Sequence, residues 1–429
     1  MVQDRSVQKT KVQFPSKRSI SPTQEGIKYP PPYKKQKMDS APPSEGAGTT
    51  DNHLKYNQVT TQDPIPDWVK ATLRPLNLLS PCSVPFPHIS IPHQVLAGRL
   101  RLFVENWKKL TQDPWVLNTI QGYKIPFRTD PYQKGIPESV LSKEEEIFVL
   151  QEIQTLLDKD AISSALDHPG NFFSTIFTVP KKGGERRPII NLKYLNRSIT
   201  HVHFKMEGIQ SLRDIILPRD FMMKVYLKDA YFSIPIHSSH QKFLSFQWKH
   251  KTFQFTCLPF GLSSAPRTFT KVMKPVVTYL RSLGIRMVVY LDDMIILARS
   301  RDELLKWRSI VLDLLENLGF LINYLESELE PTQILVFLGF QINTITMEIK
   351  LLKEKVTQAT QEAQNLLQVQ QASARQLAHL IGIFSSNLPA ILPARIHYRG
   401  LQLLRHQALK KGGYDAILPL SQDAKDDLL

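Results

Sequence analysis

Asp292 and Asp293 stand side by side at the centre of an otherwise apolar run, Met287-Val288-Val289-Tyr290-Leu291-Asp292-Asp293-Met294-Ile295-Ile296-Leu297. A β-branched apolar run of this length predicts a buried strand, a turn and a second buried strand. Two adjacent carboxylates are costly there, because like charges held together out of water do not both stay ionised. A divalent cation removes the conflict. Hard carboxylate oxygens suit Mg²⁺, which is typically held by one or two carboxylates and substrate phosphates. The simpler alternative is a plain Asp-Asp turn in a β-hairpin.

The elements that must position this pair are legible on both sides of it. Strands are predicted at 222–227, 233–236, 243–247, 252–256, 286–290 and 294–298. One helix is predicted over 263–283 and another over 302–318, ending at Gly319. Residues 334–340 predict a further strand. Upstream, residues 172–179 and 188–192 predict a hairpin whose tip, Lys181-Lys182-Gly183-Gly184-Glu185-Arg186-Arg187, is strongly basic. A helix from 143 to 159 is N-capped by Ser142 with Glu145 as its capping-box partner. Its apolar stripe is Ile147, Leu150, Ile153 and Leu157. Order begins near Gln94, where Val95, Leu96, Leu100, Phe103 and Trp107 follow helical spacing. Beyond Leu351 the chain turns helical and Gln-rich, with Ser373 as an N-cap and Leu377, Leu380, Ile381 and Phe384 on one face. The pattern is α+β: an antiparallel sheet flanked by helices, then a small helical module.

Composition narrows the partners. The 429 residues carry a formal net charge of +15. Such a balance favours a polyanion, either nucleic acid or an anionic membrane surface. Cys82 and Cys257 are the two cysteines, too few for a disulfide framework or a zinc cluster and in keeping with a reducing interior. The N-terminus has no apolar core of a secretory signal, and no run approaches the roughly 18 apolar residues that span a bilayer. The expectation is a soluble intracellular protein, cytoplasmic or nuclear, that is not secreted and has no membrane partner. Residues 1–93 are rich in Pro, Ser, Thr, Gln and Lys and are expected to be disordered. Within them Lys34-Lys35-Gln36-Lys37 reads as a nuclear-import or nucleic-acid patch, or simply as a solvated basic stretch.

Five blocks stand in order: Val179-Pro180-Lys181-Lys182 through Arg187-Pro188-Ile189-Ile190-Asn191-Leu192; Leu227-Lys228-Asp229-Ala230-Tyr231-Phe232; Leu258-Pro259-Phe260-Gly261-Leu262; Tyr290-Leu291-Asp292-Asp293; and Phe337-Leu338-Gly339-Phe340. Together they resemble the finger, palm and primer-grip motifs of retrotransposon reverse transcriptases, of the gypsy-like kind. Upstream, Ala97-Gly98-Arg99-Leu100, Trp107 and Asp113-Pro114-Trp115-Val116-Leu117 look most like DIRS-type (tyrosine-recombinase) elements. The resemblance implies a right-hand polymerase fold. It divides the chain into a disordered region (1–93), a helical lead-in (94–140), fingers and palm (141–350) and a helical thumb or connection (351–429). A ribonuclease H domain is expected beyond Asp426-Asp427-Leu428-Leu429.

The same resemblance implies roles. Asp292 and Asp293 are catalytic metal ligands for two Mg²⁺ or Mn²⁺ ions in in-line nucleotidyl transfer. Lys182 and Arg187 clamp the triphosphate of a deoxynucleotide. Asp229 and Ala230 approach it through backbone N–H groups, Tyr231 is the steric gate, and Phe260 and Gly261 shape the pocket. Phe337, Leu338, Gly339 and Phe340 grip the primer of an RNA or DNA template. A solvated turn for the basic residues, and core packing for the aromatic and apolar ones, remain as alternatives.

Two positions depart from the family. It carries a bridging Asp three residues before the Asp-Ala-Tyr triplet, where this chain has Tyr226. A phenol with a pKa near ~10 is neutral at pH 7 and does not replace that carboxylate. Asp229 is a poor substitute, because residue i+3 of an extended strand faces away from residue i. Glu326 stands where the family usually has a Lys that protonates the leaving pyrophosphate, general-acid help worth about 10²-fold. Two readings stay open: an RNA-directed DNA polymerase domain whose activity is severely impaired, and a nonenzymatic nucleic-acid-binding remnant. RNA-templated RNA synthesis is disfavoured by Tyr231.

Overall fold

The computed structural model describes residues 96–133, 135–166, 170–180, 186–391 and 396–428, with Arg187 described by its backbone alone. The expected disorder of 1–93, the basic stretch Lys34–Lys37, and Cys82, Gln94, Val95 and Lys182 lie outside the described residues.

The strands are β1 (Ile162–Ala165), β2 (Thr175–Pro180), β3 (Arg186–Asn191), β4 (Phe221–Tyr226), β5 (Ser245–Trp248), β6 (Lys251–Phe255), β7 (Arg286–Tyr290), β8 (Asp293–Ala298), β9 (Glu328–Thr332), β10 (Ile334–Phe337), β11 (Phe340–Asn343) and β12 (Glu348–Leu351). β2 and β3 form the expected hairpin. The central antiparallel sheet has the order β7-β8-β4-β9. It explains why the run 287–297 is apolar on both edges of its alternation: both faces of the sheet are covered. Met223 and Val225 of β4, with Met294 and Ile296 of β8, pack in one cluster with Phe269, Val272 and Val276 of helix Ala265–Ser282 and with Val311 and Leu315 of helix Arg301–Asn317. Met222, Ile295 and Leu297 face the other way. There they meet Leu335, Phe337, Phe340 and Ile342 of the sheet β10-β11-β12, and Ile209 and Leu212 of helix Ile209–Ile215.

The lead-in is docked by its aromatic residues. Trp107 is fully buried, donates from Nε1 to the Leu318 carbonyl at 2.9 Å, and meets Phe320 edge-on. Asn106 donates to the Asn317 carbonyl at 2.6 Å. Both satisfy carbonyls that the end of helix Arg301–Asn317 leaves unpaired. Gly319 follows that end with φ 93, and a Cβ there would lie 2.4 Å from the Phe103 ring, so no side chain fits. The helical module at the C-terminus has its own core: Leu377, Leu380 and Ile381 of helix Ala374–Asn387 pack on Leu401 and Leu404 of helix Arg399–Gly412, with Phe384 at the margin. Ser373 caps the first of these as expected.

Four expectations change. Residues 233–236 are no strand: Ala230–Ser233 is a 3₁₀ turn, and Pro235 and Ile236 make only single bridges, in keeping with a proline that lacks a donor. Residues 334–340 are two strands, split at Leu338 and Gly339, both with positive φ, the geometry of a tight hairpin turn. In helix Lys143–Asp158 the capping box of Ser142 and Glu145 is present, but the buried stripe is Val149, Ile153 and Leu156. Ile147 and Leu150 are exposed, because the hairpin β2-β3 and β1 cover a face rotated from the one the periodicity suggested. The first helical segment begins as a 3₁₀ turn, Arg99–Phe103, before helix Val104–Leu110.

Candidate active site

Asp292 and Asp293 lie at the β7-β8 hairpin, closed by the pair Tyr290↔Asp293. Leu291 takes φ 56 to make the turn. On the other side of β8, Asp293 is abreast of Tyr226, the last residue of β4. Residues directly paired in an antiparallel ladder share a face. Tyr226 and Asp293 therefore sit side by side, and Lys224, two residues back, shares that face. The Tyr226 phenol lies close enough to the Asp292 carboxylate to feel its charge. Its backbone is pinned as well: its N–H donates to Ser327 Oγ at 2.9 Å and its carbonyl accepts from Asn323 at 2.8 Å. Burial, and then Asp292, Glu326 and Asp293, push the phenol well above the usual tyrosine range.

Asp293 is half-buried, and its Oδ1 has no hydrogen-bond partner. Burial raises its carboxyl to about 6; Lys224 opposes the shift, while Asp292 and Glu328 add to it. Lys224 is itself drawn to Glu328 at 2.8 Å. Because the folded-state pKa lies above that of the unfolded chain, this group favours the fold at low pH, and its contribution is lost as pH rises through about 6. Asp293→Asn should therefore flatten the fall in thermal stability between about pH 4 and pH 6. Equal slopes for parent and variant in that window would remove the assignment.

A cleft of about 710 Å³ opens beside the pair. Its walls include Tyr226, Asp229, Ala230, Phe260, Asp292, Asn323 and Glu326. Asp229 shares this cleft with Tyr226, contrary to the strand-parity expectation, because β4 ends at Tyr226 and Asp229 has turned to φ 49. Its charge is paired with Lys159, which donates to Oδ1 at 3.0 Å and lies 3.0 Å from Oδ2, while the buried Oδ2 accepts no hydrogen bond. Sequence reasoning missed Lys159, and no local signal could have found it, since the two residues are 70 positions apart. Phe260 is 52% exposed at the rim. Tyr231 is buried behind it, with ring centroids 5.1 Å apart, and also packs on Phe269. Burial and Asp292 raise the Tyr231 phenol to about 12. Gly261 is exposed, and its carbonyl accepts from Asn196, whose side chain also takes the Ser263 N–H. Asn196 thus staples the 258–266 loop, another residue the motif reading passed over.

Arg187 is on β3 opposite Val179, at the base of the tip that carries Lys182. Its neighbour Arg186 is committed elsewhere, to Thr178 at 2.7 Å and Glu145 at 2.8 Å. Phe337 and Phe340 point into the core, so only the Leu338-Gly339 turn between them is part-exposed. Glu326 is exposed on the cleft wall next to Tyr226.

A palm-like antiparallel sheet with an acidic hairpin beside a cleft, hairpin fingers ahead of it and a helical module behind have the right-hand polymerase fold. Residues 179–342 match the family model described as reverse transcriptase (RNA-dependent DNA polymerase). The Tf2-3 transposon polyprotein of Schizosaccharomyces pombe is 25% identical over 225 residues, covering 52% of this chain and 16% of that polyprotein. The Tf2-7 polyprotein of the same organism is 24% identical over a stretch of equal length. A foamy viral protease-reverse transcriptase in complex with RNA/DNA hybrid is similar in fold, with a TM-score of 0.53 at 18% identity over 83% of this chain and 46% of that one. A second foamy viral structure, in complex with double-stranded DNA, gives 0.54 at 16% identity, over 82% of this chain and 62% of that one. Residues 179–342 are thus similar to the reverse transcriptase domain of retrotransposon polyproteins, and the chain spans 16% of the length of the curated relative it matches.

Reverse transcriptases generally use divalent metal ions. The side chains present here do not fit the two-ion arrangement. Among the described residues no three His, Cys, Asp or Glu side chains converge as a metal site. Tyr226 fills the place beside Asp292 and Asp293 with a phenol, and Asp229 is paired with Lys159. The orphaned Asp293 Oδ1 is the one unsatisfied acceptor of the pair.

Proposed function

We propose that this chain is an RNA-directed DNA polymerase domain that holds template, primer and deoxynucleotide but transfers nucleotides slowly. The observation that carries this reading is Tyr226 abreast of Asp293 in the strand ladder, beside Asp292, where the family has a carboxylate. Asp292 and Asp293 are its catalytic carboxylates. Lys182 and Arg187 clamp the triphosphate, Asp229 and Ala230 meet it along the cleft floor, and Phe260 and Gly261 form the rim. Tyr231, wedged behind Phe260, is the gate against a 2′-hydroxyl. The Leu338-Gly339 turn, rather than the two buried phenylalanines, meets the primer. Glu326, exposed beside Tyr226, repels the leaving pyrophosphate where the family has a proton donor. A full pair of Mg²⁺ or Mn²⁺ ions requires the carboxylate that Tyr226 replaces.

The reading of the partner as a template–primer duplex is supported by the net charge of +15 and by the nucleic acid in the foamy viral complexes. We infer DIRS-type ancestry from residues 97–100, Trp107 and 113–117; a tyrosine-recombinase gene in the flanking coding sequence supports it, and a conventional integrase overturns it. The deciding experiment for the function is primer extension on an RNA template with Mg²⁺ or Mn²⁺, comparing the chain with Tyr226→Asp. Slow extension that the substitution accelerates supports the polymerase reading. Tight template–primer binding with no extension by either protein favours the nonenzymatic remnant.

A further inference from the structure

Lys159 ties together three parts of the chain. It closes helix Lys143–Asp158 as its C-cap residue, and its carbonyl accepts from the Ala97 N–H at 3.1 Å. Its ammonium donates to Asp229 Oδ1 at 3.0 Å and lies 6.0 Å from the centroid of the Phe232 ring. The Gly98 N–H, next to Ala97, donates to the Phe232 carbonyl at 2.7 Å. The lead-in, the end of this helix and the turn 229–232 are thus bound to one another around the lysine. The side chains of Lys159 and Asp229 are 26% and 18% exposed, so water and salt screen the pair only in part. The other end of the helix is ion-paired as well, where Glu145 meets Arg186 of β3 at 2.8 Å. The helix is a strut from the hairpin β2-β3 to the turn at Asp229.

That turn lies where the charges oppose a nucleotide. Asp229, Asp292 and Glu326 all line the cleft, and a triphosphate set against the backbone N–H groups of Asp229 and Ala230 meets their repulsion. The Asp229 carboxylate belongs to the very residue whose N–H would meet phosphate. Its φ of 49 is left-handed and the 3₁₀ turn Ala230–Ser233 follows, a junction of consecutive N–H groups that suits an anion. The ion pair removes the conflict, because the ammonium cancels the carboxylate's charge. We propose that Lys159 is a positioning residue for the incoming triphosphate, acting through Asp229 to keep that carboxylate paired while the N–H groups of the turn face the phosphates. Residue 159 lies outside the matched segment 179–342, so the family match assigns it nothing. The proposal rests on the reading of this chain as a polymerase domain that holds a deoxynucleotide. If Lys159 only anchors the helix end, nucleotide affinity does not depend on its charge.

The test uses the full chain, an RNA template with a dideoxy-terminated DNA primer, and the next complementary deoxynucleoside triphosphate in Mg²⁺ buffer. Nucleotide affinity is read from the ternary complex it stabilises, and template–primer affinity from the binary complex. Lys159→Met keeps the apolar stem and strips the charge. It should weaken nucleotide binding by about tenfold or more, the worth of one charge-assisted hydrogen bond, while template–primer affinity holds. Lys159→Arg should keep the parental nucleotide affinity. Adding Asp229→Asn to Lys159→Met should regain most of the loss, because asparagine tolerates the left-handed turn and brings no charge. A lost helix anchor would not be repaired that way. Dissociation constants belong to the folded molecules, so a lower folded fraction does not imitate the result. Unchanged nucleotide affinity in Lys159→Met, or a double variant as weak as Lys159→Met, overturns the proposal and leaves the polymerase reading standing. A parent that binds no nucleotide overturns both.

Discussion

Tyr226→Asp should raise the rate of primer extension by about 10²–10³-fold, the typical worth of one electrostatic stabiliser placed where charge develops. The substitution acts at one position and in two ways. It removes the phenol beside Asp292, and it adds a carboxylate abreast of Asp293 on the same face of the sheet. Tyr226→Phe separates the two effects. It removes the hydroxyl but supplies no ligand, so its extension should stay near that of the parent. The aspartate variant also gathers three carboxylates that repel one another without a cation. Its melting temperature should therefore rise on adding Mg²⁺ by more than that of the parent, since an ion bound only to the folded state stabilises it by mass action. Parent and Tyr226→Asp extending primers within about tenfold of each other would refute the account of Tyr226 as the impairing residue.

Asp220→Ala should destabilise the fold by about 3–5 kcal/mol, the range for stripping one partner from a buried ion pair. Asp220 has no exposed surface. Its carboxylate accepts from Arg286 at 2.6 and 2.8 Å, from Arg299 at 3.0 Å and from the Leu217 N–H at 2.8 Å, while its carbonyl takes the Thr344 hydroxyl at 2.6 Å. Removing it leaves the Arg286 guanidinium, only 26% exposed, without its counter-charge. Arg299 is 56% exposed and can turn to water, so Arg299→Ala should cost no more than about 1 kcal/mol. Arg286 begins β7, the strand that ends in Tyr290 and the acidic turn. The knot at Asp220 therefore fixes the base of the acidic hairpin. Urea unfolding of the two variants is the check, and a loss below about 1 kcal/mol in Asp220→Ala would show that the knot does not hold the sheet.

Several of these features are visible in the sequence and several are not. The run 287–297 announces its hairpin because both faces of the sheet are covered, and so every side chain but the two aspartates is apolar. The capping box at Ser142 and the C′ glycine at 319 are local devices, and both are read correctly from a few residues. The stripe of helix 143–158 is not, since which of two apolar faces is buried depends on where the hairpin β2-β3 docks. The 334–340 run reads as one strand because the period-2 signal does not register a tight turn at Leu338. Asp220, Lys159 and Asn196 carry no motif at all.

The sequence by itself determined the resemblance to reverse transcriptases and the acidic hairpin, because ordered motif blocks and apolar runs are properties of neighbouring residues. It also determined that Tyr226 stands where a carboxylate is expected. Only the tertiary structure decided where that tyrosine stands: abreast of Asp293 and beside Asp292. Only the structure decided, too, that Asp229 lines the same cleft yet is spent on Lys159. Those outcomes depend on strand register and on contacts between residues tens of positions apart, which hydrogen-bond pairing and close packing fix only once the chain has folded.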